Sequence, residues 1–514
     1  MLNFRWQGIR KNKKESAKDL HSQPQYALIE VLKFRESMVA DMMITLSEEE
    51  SNRQFVNFSE MERNILDIVM QAGRELIRQT LEQMDVQILE SRDKARYRSK
   101  GVRSTSVVTR VGTVEYSRRV YVDMQAEDDK KHCVFLLDKA LAMNKMGRIS
   151  EEVCTKIAER VCENSFRSSA EIVSEEMADH ISYGTVWNFT QKMGERKQEE
   201  IKAKAALAEQ KKGTGTIETE ILYEEADGIW LKLQRKDRQE NGTDKEMKVG
   251  IAYDGVLKEK CKDGFRSTLD NKTAFASFEK ASEFESHKEG VIASVYDMSK
   301  VKLRIRNGDG ANWIQKPKGF ACLCVLDAYH RNNKISRCVK NPETAKHIRE
   351  LLYNRKIKDL LVYLAKCIQS CEEESEKEKL KELLSYYFEN QSALTDYFSR
   401  GISIPETRMP GLIHHAKLGS MESNVFTIIG NRMKGGRACW SIKGGNHLAI
   451  LLCAYYTDKQ FRAVPIPLSE QSDECPPLSA AKIKETVGKG YEMPHNIHFP
   501  PGFKLAREFS RYSF

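Results

Sequence analysis

Apolar residues recur at spacings of three and four from about Phe58 to Arg96, through Met61, Ile65, Ile68, Val69, Ala72, Leu76, Ile77, Leu81, Met84 and Ile88, which predicts one long helix. Its other faces are charged, so it is read as a packing element, with a dimerisation surface as the alternative. From Ser104 the period changes to two, and the alternating run up to Met124 reads as a β-hairpin. Helical spacing resumes in three short pieces, Ser150 to Cys162, Ser168 to Ala178 and Tyr183 to Met193, the first opened by Ser150 as an N-cap ahead of Glu151 and Glu152. Three short helices with tight turns fit a helix-turn-helix module, with Thr185, Asn188 and Lys192 on the helix that would meet DNA. A plain helical bundle is the alternative. The Lys-, Glu-, Ala- and Gln-rich stretch from Gly194 to Gly215 reads as a solvated helical linker.

From Thr216 the pattern turns to strands at Ile217 to Ile221, Ala226 to Gln234, Glu246 to Tyr253 and Lys272 to Phe278, with a turn at Lys236 to Thr243. A helix at Ser282 to Tyr296, a strand at Val301 to Arg306, a short helix after Asp309, a strand at Phe320 to Leu326 and a helix from Tyr329 follow. Three strands, a helix, then strand–helix–strand–helix is the order of a ribonuclease-H-like sheet. Residues 343–400 are strongly helical, with Ile348, Leu351, Leu352, Ile357, Leu360, Leu361, Tyr363 and Leu364 on one face. The expected fold is multidomain α+β: an N-terminal, mostly helical DNA-binding region, then a ribonuclease-H-like α/β catalytic domain with a mixed sheet, interrupted by an all-α insertion. The segments are an N-terminal extension (1–57), long helix plus hairpin (58–147), helix-turn-helix-like region and linker (148–215), first part of the core (216–342), helical insertion (343–410), glutamate helix and basic segment (411–456) and a proline-containing tail (457–514).

A chain of 514 residues exceeds one ordinary core. No apolar run approaches the roughly 20 residues of a membrane span, and basic residues rather than an apolar core follow the N-terminus, so a cytoplasmic, nucleoid-associated protein without a membrane partner is expected. The net charge of +9 is modest, but lysines and arginines cluster at 10–14, 94–110, 232–248 and 430–443, as a polyanion partner requires. The twelve cysteines include no Cys-x-x-Cys pair and read as reduced, mostly buried thiols.

Three separated acids carry the candidate chemistry. Asp227 interrupts the apolar run Ala-Asp-Gly-Ile-Trp-Leu, Asp309 follows Leu-Arg-Ile-Arg-Asn-Gly, and Glu422 opens a helix-like run. Carboxylates from two strands and a helix can hold two hard cations, Mg²⁺ or Mn²⁺, for phosphoryl transfer. Both aspartates precede glycine, so a turn is the plain alternative, although a carboxylate inside a strand is costly unless something pairs with it. Glu224, Glu225 and Asp254 compete for the first position and Asp327 for the second. His330 could contact the scissile phosphate or move a proton, or simply cap a helix. Arg432, Lys434, Arg437 and Lys443 stand among glycines beside Trp440, where cations meet phosphates and an indole stacks on an unpaired base.

The segments around Asp227, Asp309, Asp327-Ala-Tyr-His330 and Gly-Ser-Met-Glu422-Ser-Asn-Val-Phe, with the block Asn-Arg-Met-Lys-Gly-Gly-Arg-Ala-Cys-Trp, together resemble the ISLre group of bacterial insertion-sequence transposases, long held as an uncharacterised protein family. The resemblance covers most of residues 55–455. It implies a ribonuclease-H-like domain, an acidic triad at Asp227, Asp309 and Glu422 holding a divalent metal, and kinship with Mutator-like transposases, which carry a helical insertion before the last glutamate. The partners implied are double-stranded DNA, as element ends and target, and further copies of the chain in a dimer or larger synaptic assembly. Leu412-Ile-His414-His415 departs from the Tyr-Arg pair expected there. A catalytically inactive DNA-binding descendant and a metal-dependent host nuclease are the alternatives.

Overall fold

The computed structural model describes residues 57–461 apart from 126–132, 142, 144–148, 178, 263, 316–320, 437 and 459–460. The basic cluster at 10–14, Arg437 and nearly all of the tail therefore lie outside the described residues. The mixed α+β, multidomain character holds.

Asn57 caps α1 (Phe58–Ser91) by accepting from the Glu60 amide. The helix lies on a hairpin of β1 (Tyr97–Thr109) and β2 (Gly112–Asp123), to which β3 (Cys133–Val134) adds a third strand. Leu81 joins Val107, Val114, Tyr116 and Leu137 of the short α2 (Leu136–Ala140) in a small core, and Arg119 pairs with Asp85 at 2.5 Å.

The next three helices are α3 (Glu151–Glu163), α4 (Phe166–Met177) and α5 (Tyr183–Glu209), with Ser150 and Ser182 as N-caps. The solvated character expected of the linker is corrected here: α5 continues through it to Glu209 and buries Gly194, Ile201 and Ala205. Gly194 is the reason on one side, because a Cβ there would overlap Cα and Cβ of His447. On the other, Gly290 lets its helix approach the backbone of Ala205. Gly194→Ala gains helix propensity but overpacks this crossing, and a net loss of about 1–2 kcal/mol is expected. A urea midpoint that stays at the wild-type value would show that the two helices separate without cost.

The main sheet holds β4 (Ile221–Lys232), β5 (Asp244–Tyr253), β8 (Thr273–Ser277), β9 (Leu303–Gly308) and β10 (Leu323–Leu326), in the order β10-β9-β4-β5-β8. β9 runs parallel to β4 and β10, whereas β5 is antiparallel to β4 and β8. The stretch Lys236 to Thr243, read as a turn, is mostly a short helix, α6 (Arg235–Asn241). A hairpin of β6 (Val256–Cys261) and β7 (Gly264–Leu269) had no counterpart in the sequence reading, since its strands are largely exposed and lack an apolar alternation.

One face of the sheet packs on α3, α4, α5, α13 (Met421–Val425, continued by a π-helical turn, Phe426–Gly430, and by Asn431–Met433) and α14 (Ile442–Thr457) in one continuous cluster. The opposite face carries α7 (Ala281–Ala293) and a buried ion network. There Glu224 of β4 accepts from Arg304 (2.7 Å) and Arg306 (2.7 Å) of β9 and from Lys288 (2.6 Å) of α7, while Glu289 accepts from Arg304 and Glu285 from Arg306. After β9 come α8 (Asn312–Gln315), then α9 (Ala328–Cys338), α10 (Pro342–Tyr353), α11 (Ile357–Ser370) and α12 (Glu374–Glu389). These last four share a separate core around Ile348, Leu360, Leu364, Leu383 and Tyr387; α10, α11 and α12 are the helices read in residues 343–400, and α9, read as part of the preceding core, packs with them.

Candidate active site

β4 is unbroken across Asp227-Gly228, so this pair is not a turn: Asp227 faces Val249 and Gly228 faces Lys248. Glycine there makes room for the Glu246 carboxylate, which a Cβ would overlap. The chain bends at Asp309-Gly310, with Gly310 at φ +94° and no room for a Cβ beside Tyr386, a conformation that suits glycine. The β4–β9 ladder pairs Tyr223 with Ile305 and Glu225 with Asn307 and stops there; Asp227 lies two residues on in β4 and Asp309 follows the last residue of β9, close enough for the charge of Asp227 to act on Asp309. The β9–β10 ladder likewise leads to Asp309 beside Asp327.

Of the acids at these strand ends, the competitors are already committed. Glu224 belongs to the ion network. Asp254 pairs with Arg408 and Asn271. Asp327 caps α9, accepting from the amides of Tyr329 (2.9 Å) and His330 (3.1 Å) and from Asn307 (3.0 Å). Glu225, fully buried, accepts from Tyr253 Oη (2.7 Å), Asn307 Nδ2 (2.9 Å), Ser420 Oγ (2.5 Å) and the amides of Gly419 and Ser420. That carboxylate ties the start of α13 to β4, and Gly430 at the far end of the π-helical turn lies against Ile229. Asp227 sits between those two anchor points in sequence.

Asp227 and Asp309 are left, with His330 Nε2 at 3.5 Å from Asp227 Oδ2. Burial pushes the Asp309 carboxyl up, and the charge of Asp227 adds to this, while the Ala311 amide and His330 oppose it. Burial likewise raises Glu246, with the charges of Asp309 and Asp227 adding and Lys248 opposing. The bond to Asp227 raises His330 against a smaller effect of burial. The sequence reading missed Glu246; its one signal was a glycine inside a strand, which marks close approach of another group.

Glu422 is exposed on α13, two residues beyond the Glu225 anchor. Among the described residues no three His, Cys, Asp or Glu side chains converge closely enough to hold a metal ion. Asp227 and Asp309 are nevertheless adjacent, mutually repelling oxygen donors, the chemistry that suits a hard divalent cation.

The basic segment divides. Arg432 and Trp440, read as DNA contacts, are corrected: Trp440 is buried, and Arg432 is half-buried and engaged within the fold. Arg432 donates to the Val161 carbonyl at 2.7 Å, lies over the rings of Phe166 and Trp440, and is pushed down to about 10 by burial. Trp440, 8% exposed, donates to the Met433 carbonyl, and its backbone bonds Lys232 and Gln234 at the end of β4. Lys434 is exposed, and Lys443 is exposed in an ion pair with Glu195. On α5, Thr185, Asn188 and Lys192 are exposed, Thr185 sharing its hydroxyl with the Ser182 cap. Tyr183 and Trp187, exposed on the same turns, were not singled out from the sequence. His415 bonds Tyr223 Oη at 2.8 Å and His414 lies in β11 (Ile413–His414), paired with β6, so the departure from Tyr-Arg is filled by structural contacts.

A model described as uncharacterised protein family UPF0236 matches residues 51–469. The chain is also 27% identical over 347 residues to a UPF0236 protein of Caldanaerobacter subterraneus subsp. tengcongensis whose name joins eleven loci, covering 66% of this chain and 68% of that one. A second UPF0236 protein of that organism is 27% identical over 348 residues, 66% of this chain and 69% of its own. A third, named for four loci, is 27% identical over 348 residues, with shares of 66% and 68%.

Proposed function

The chain belongs to the UPF0236 family, and on that premise we propose that it is the transposase of a bacterial insertion sequence, a DNA-cutting and DNA-joining enzyme that works with Mg²⁺ or Mn²⁺. The observation that carries the reading is the pair Asp227, within β4, and Asp309, just past the end of the parallel strand β9, close enough for their charges to interact and free of the partners that occupy Glu224, Glu225, Asp254 and Asp327. Two features support it. The strand order β10-β9-β4-β5-β8, with its antiparallel half on one side of β4 and its parallel half on the other, is compatible with the ribonuclease-H-like sheet that this reading requires. Relatives whose names join eleven and four loci of one genome are what an element that copies itself leaves behind.

In this reading Asp227 and Asp309 would hold the metal, with Glu422 as the third carboxylate. A cation held there would supply activation of the attacking oxygen and charge stabilisation of the leaving one. Glu225 positions α13, and with it Glu422, through the amides of Gly419 and Ser420. His330, kept protonated to higher pH by Asp227, presents positive charge and a proton at the rim. The exposed turns of α5, with Asn188 and Lys192, read the element ends, and two or more copies bring the ends together.

The test is incubation of the purified chain with a supercoiled plasmid carrying the element's ends, with Mg²⁺ and with EDTA. Metal-dependent nicked, linear or joined products are expected. A gel shift without product in either buffer would reassign the chain to a DNA-binding protein that does not cut.

A further inference from the structure

Beside His330 the outward face of α9 forms a pocket of about 390 Å³ with α10, lined by Ala328, Tyr329, Asn332, Asn333, Ser336 and Arg349. Residues 329, 332, 333 and 336 fall at i, i+3, i+4 and i+7, so they make one continuous helix face. A face at that spacing is usually apolar and packed; here it is polar and exposed. Tyr329 is 54% exposed, and its ring meets that of His330 edge-on at 5.5 Å. Among the described residues the Tyr329 hydroxyl and the side-chain amides of Asn332 and Asn333 make no hydrogen bond. Arg349 spends one N–H on Ser336 Oγ at 2.9 Å.

We infer that this pocket binds an unpaired nucleotide of the strand being cut, its base stacked on Tyr329. The inference rests on the proposed function. The volume lies at the low end for ligand pockets, which suits one base and not a duplex. Side-chain amides offer both donor and acceptor to a base edge, adenine's above all. The remaining Arg349 donors suit a phosphate. The Asp327 cap fixes α9 so that His330 turns toward Asp227 while Tyr329 turns into the pocket. A nucleotide there would stand one ring away from the carboxylate site.

The full chain is titrated in EDTA, so that nothing is cut, against a short fluorescein-labelled single strand and the matching duplex at one salt concentration. Tyr329→Ala is expected to weaken single-strand binding by about 5- to 100-fold through loss of a stack, with duplex binding changed by less than about twofold. Tyr329→Trp is expected to restore it, and Asn332→Ala with Asn333→Ala to remove any preference for adenine over thymine in the strand. Single-strand binding by Tyr329→Ala equal to wild type would overturn the pocket and leave the proposed function standing, and so would equal losses on strand and duplex. A wild-type chain that binds neither DNA would overturn both.

Discussion

Asp309→Asn and Asp227→Asn are each expected to cut supercoiled donor DNA at least about 10³-fold more slowly than wild type, since a lost ligand forfeits several kcal/mol of charge stabilisation in the transition state. The second half of the expectation separates a functional site from a structural one. Asp309 is half-buried beside Asp227, and each carboxylate is a burden to the other without a cation. Removing one charge should therefore leave the melting temperature, measured in EDTA, unchanged or raised, as at sites built for function and not for stability. Mg²⁺ should raise the wild-type melting temperature and raise that of either variant less. Variants that melt earlier and cut as well as wild type would remove both residues from the chemistry.

Glu224→Gln is expected to do the opposite, costing about 3–5 kcal/mol of stability, because it leaves Arg304, Arg306 and Lys288 buried with too little negative charge. Burial alone would raise the Glu224 carboxyl, but Arg304, Arg306 and Lys288 overcome it and hold the group well below its ordinary value. A depressed folded pKa means that its contribution is complete above the unfolded carboxylate pKa and is lost as pH falls through the folded value. The gap in urea midpoint between wild type and Glu224→Gln should therefore be widest near neutrality and narrow on acidification below about pH 4. A gap that does not change with pH would mean that the cost comes from packing and not from charge.

The two aspartates illustrate how far the sequence could be read. Asp-Gly reads the same at 227 and 309, yet one pair lies inside a strand and the other turns the chain, and the apolar run after Asp227 was the signal that separated them. Most of the main-sheet strands and the helical insertion were legible because each buries a patterned face. The helix α14 was not recognised: it is apolar on nearly all sides, with Leu448 to Cys453 buried, so it shows no 3.6-residue alternation. Arg432 and Trp440 misled for the reverse reason. Cations among glycines look like a phosphate-binding loop, and only the tertiary fold shows the guanidinium stacked between Phe166 and Trp440. Glu225 was considered as a ligand and is an anchor, which depends on chain some 195 residues away in sequence.

The unbroken helix α5 has a consequence of its own. Its 27 residues span about 40 Å, from exposed turns bearing Tyr183, Trp187, Asn188 and Lys192 to a stretch clamped by His447 and by the helix of Gly290. Under the proposed function it is a ruler: the base pairs it grips and the phosphate that is cut are held at one separation and one angular phase. One residue inserted between Lys192 and Gly194 would turn the gripping face by about 100° and advance it by about 1.5 Å. Such a protein should still bind the element's end and should misplace or lose the cut, so the distance from repeat to cleavage point is written into the length of a helix.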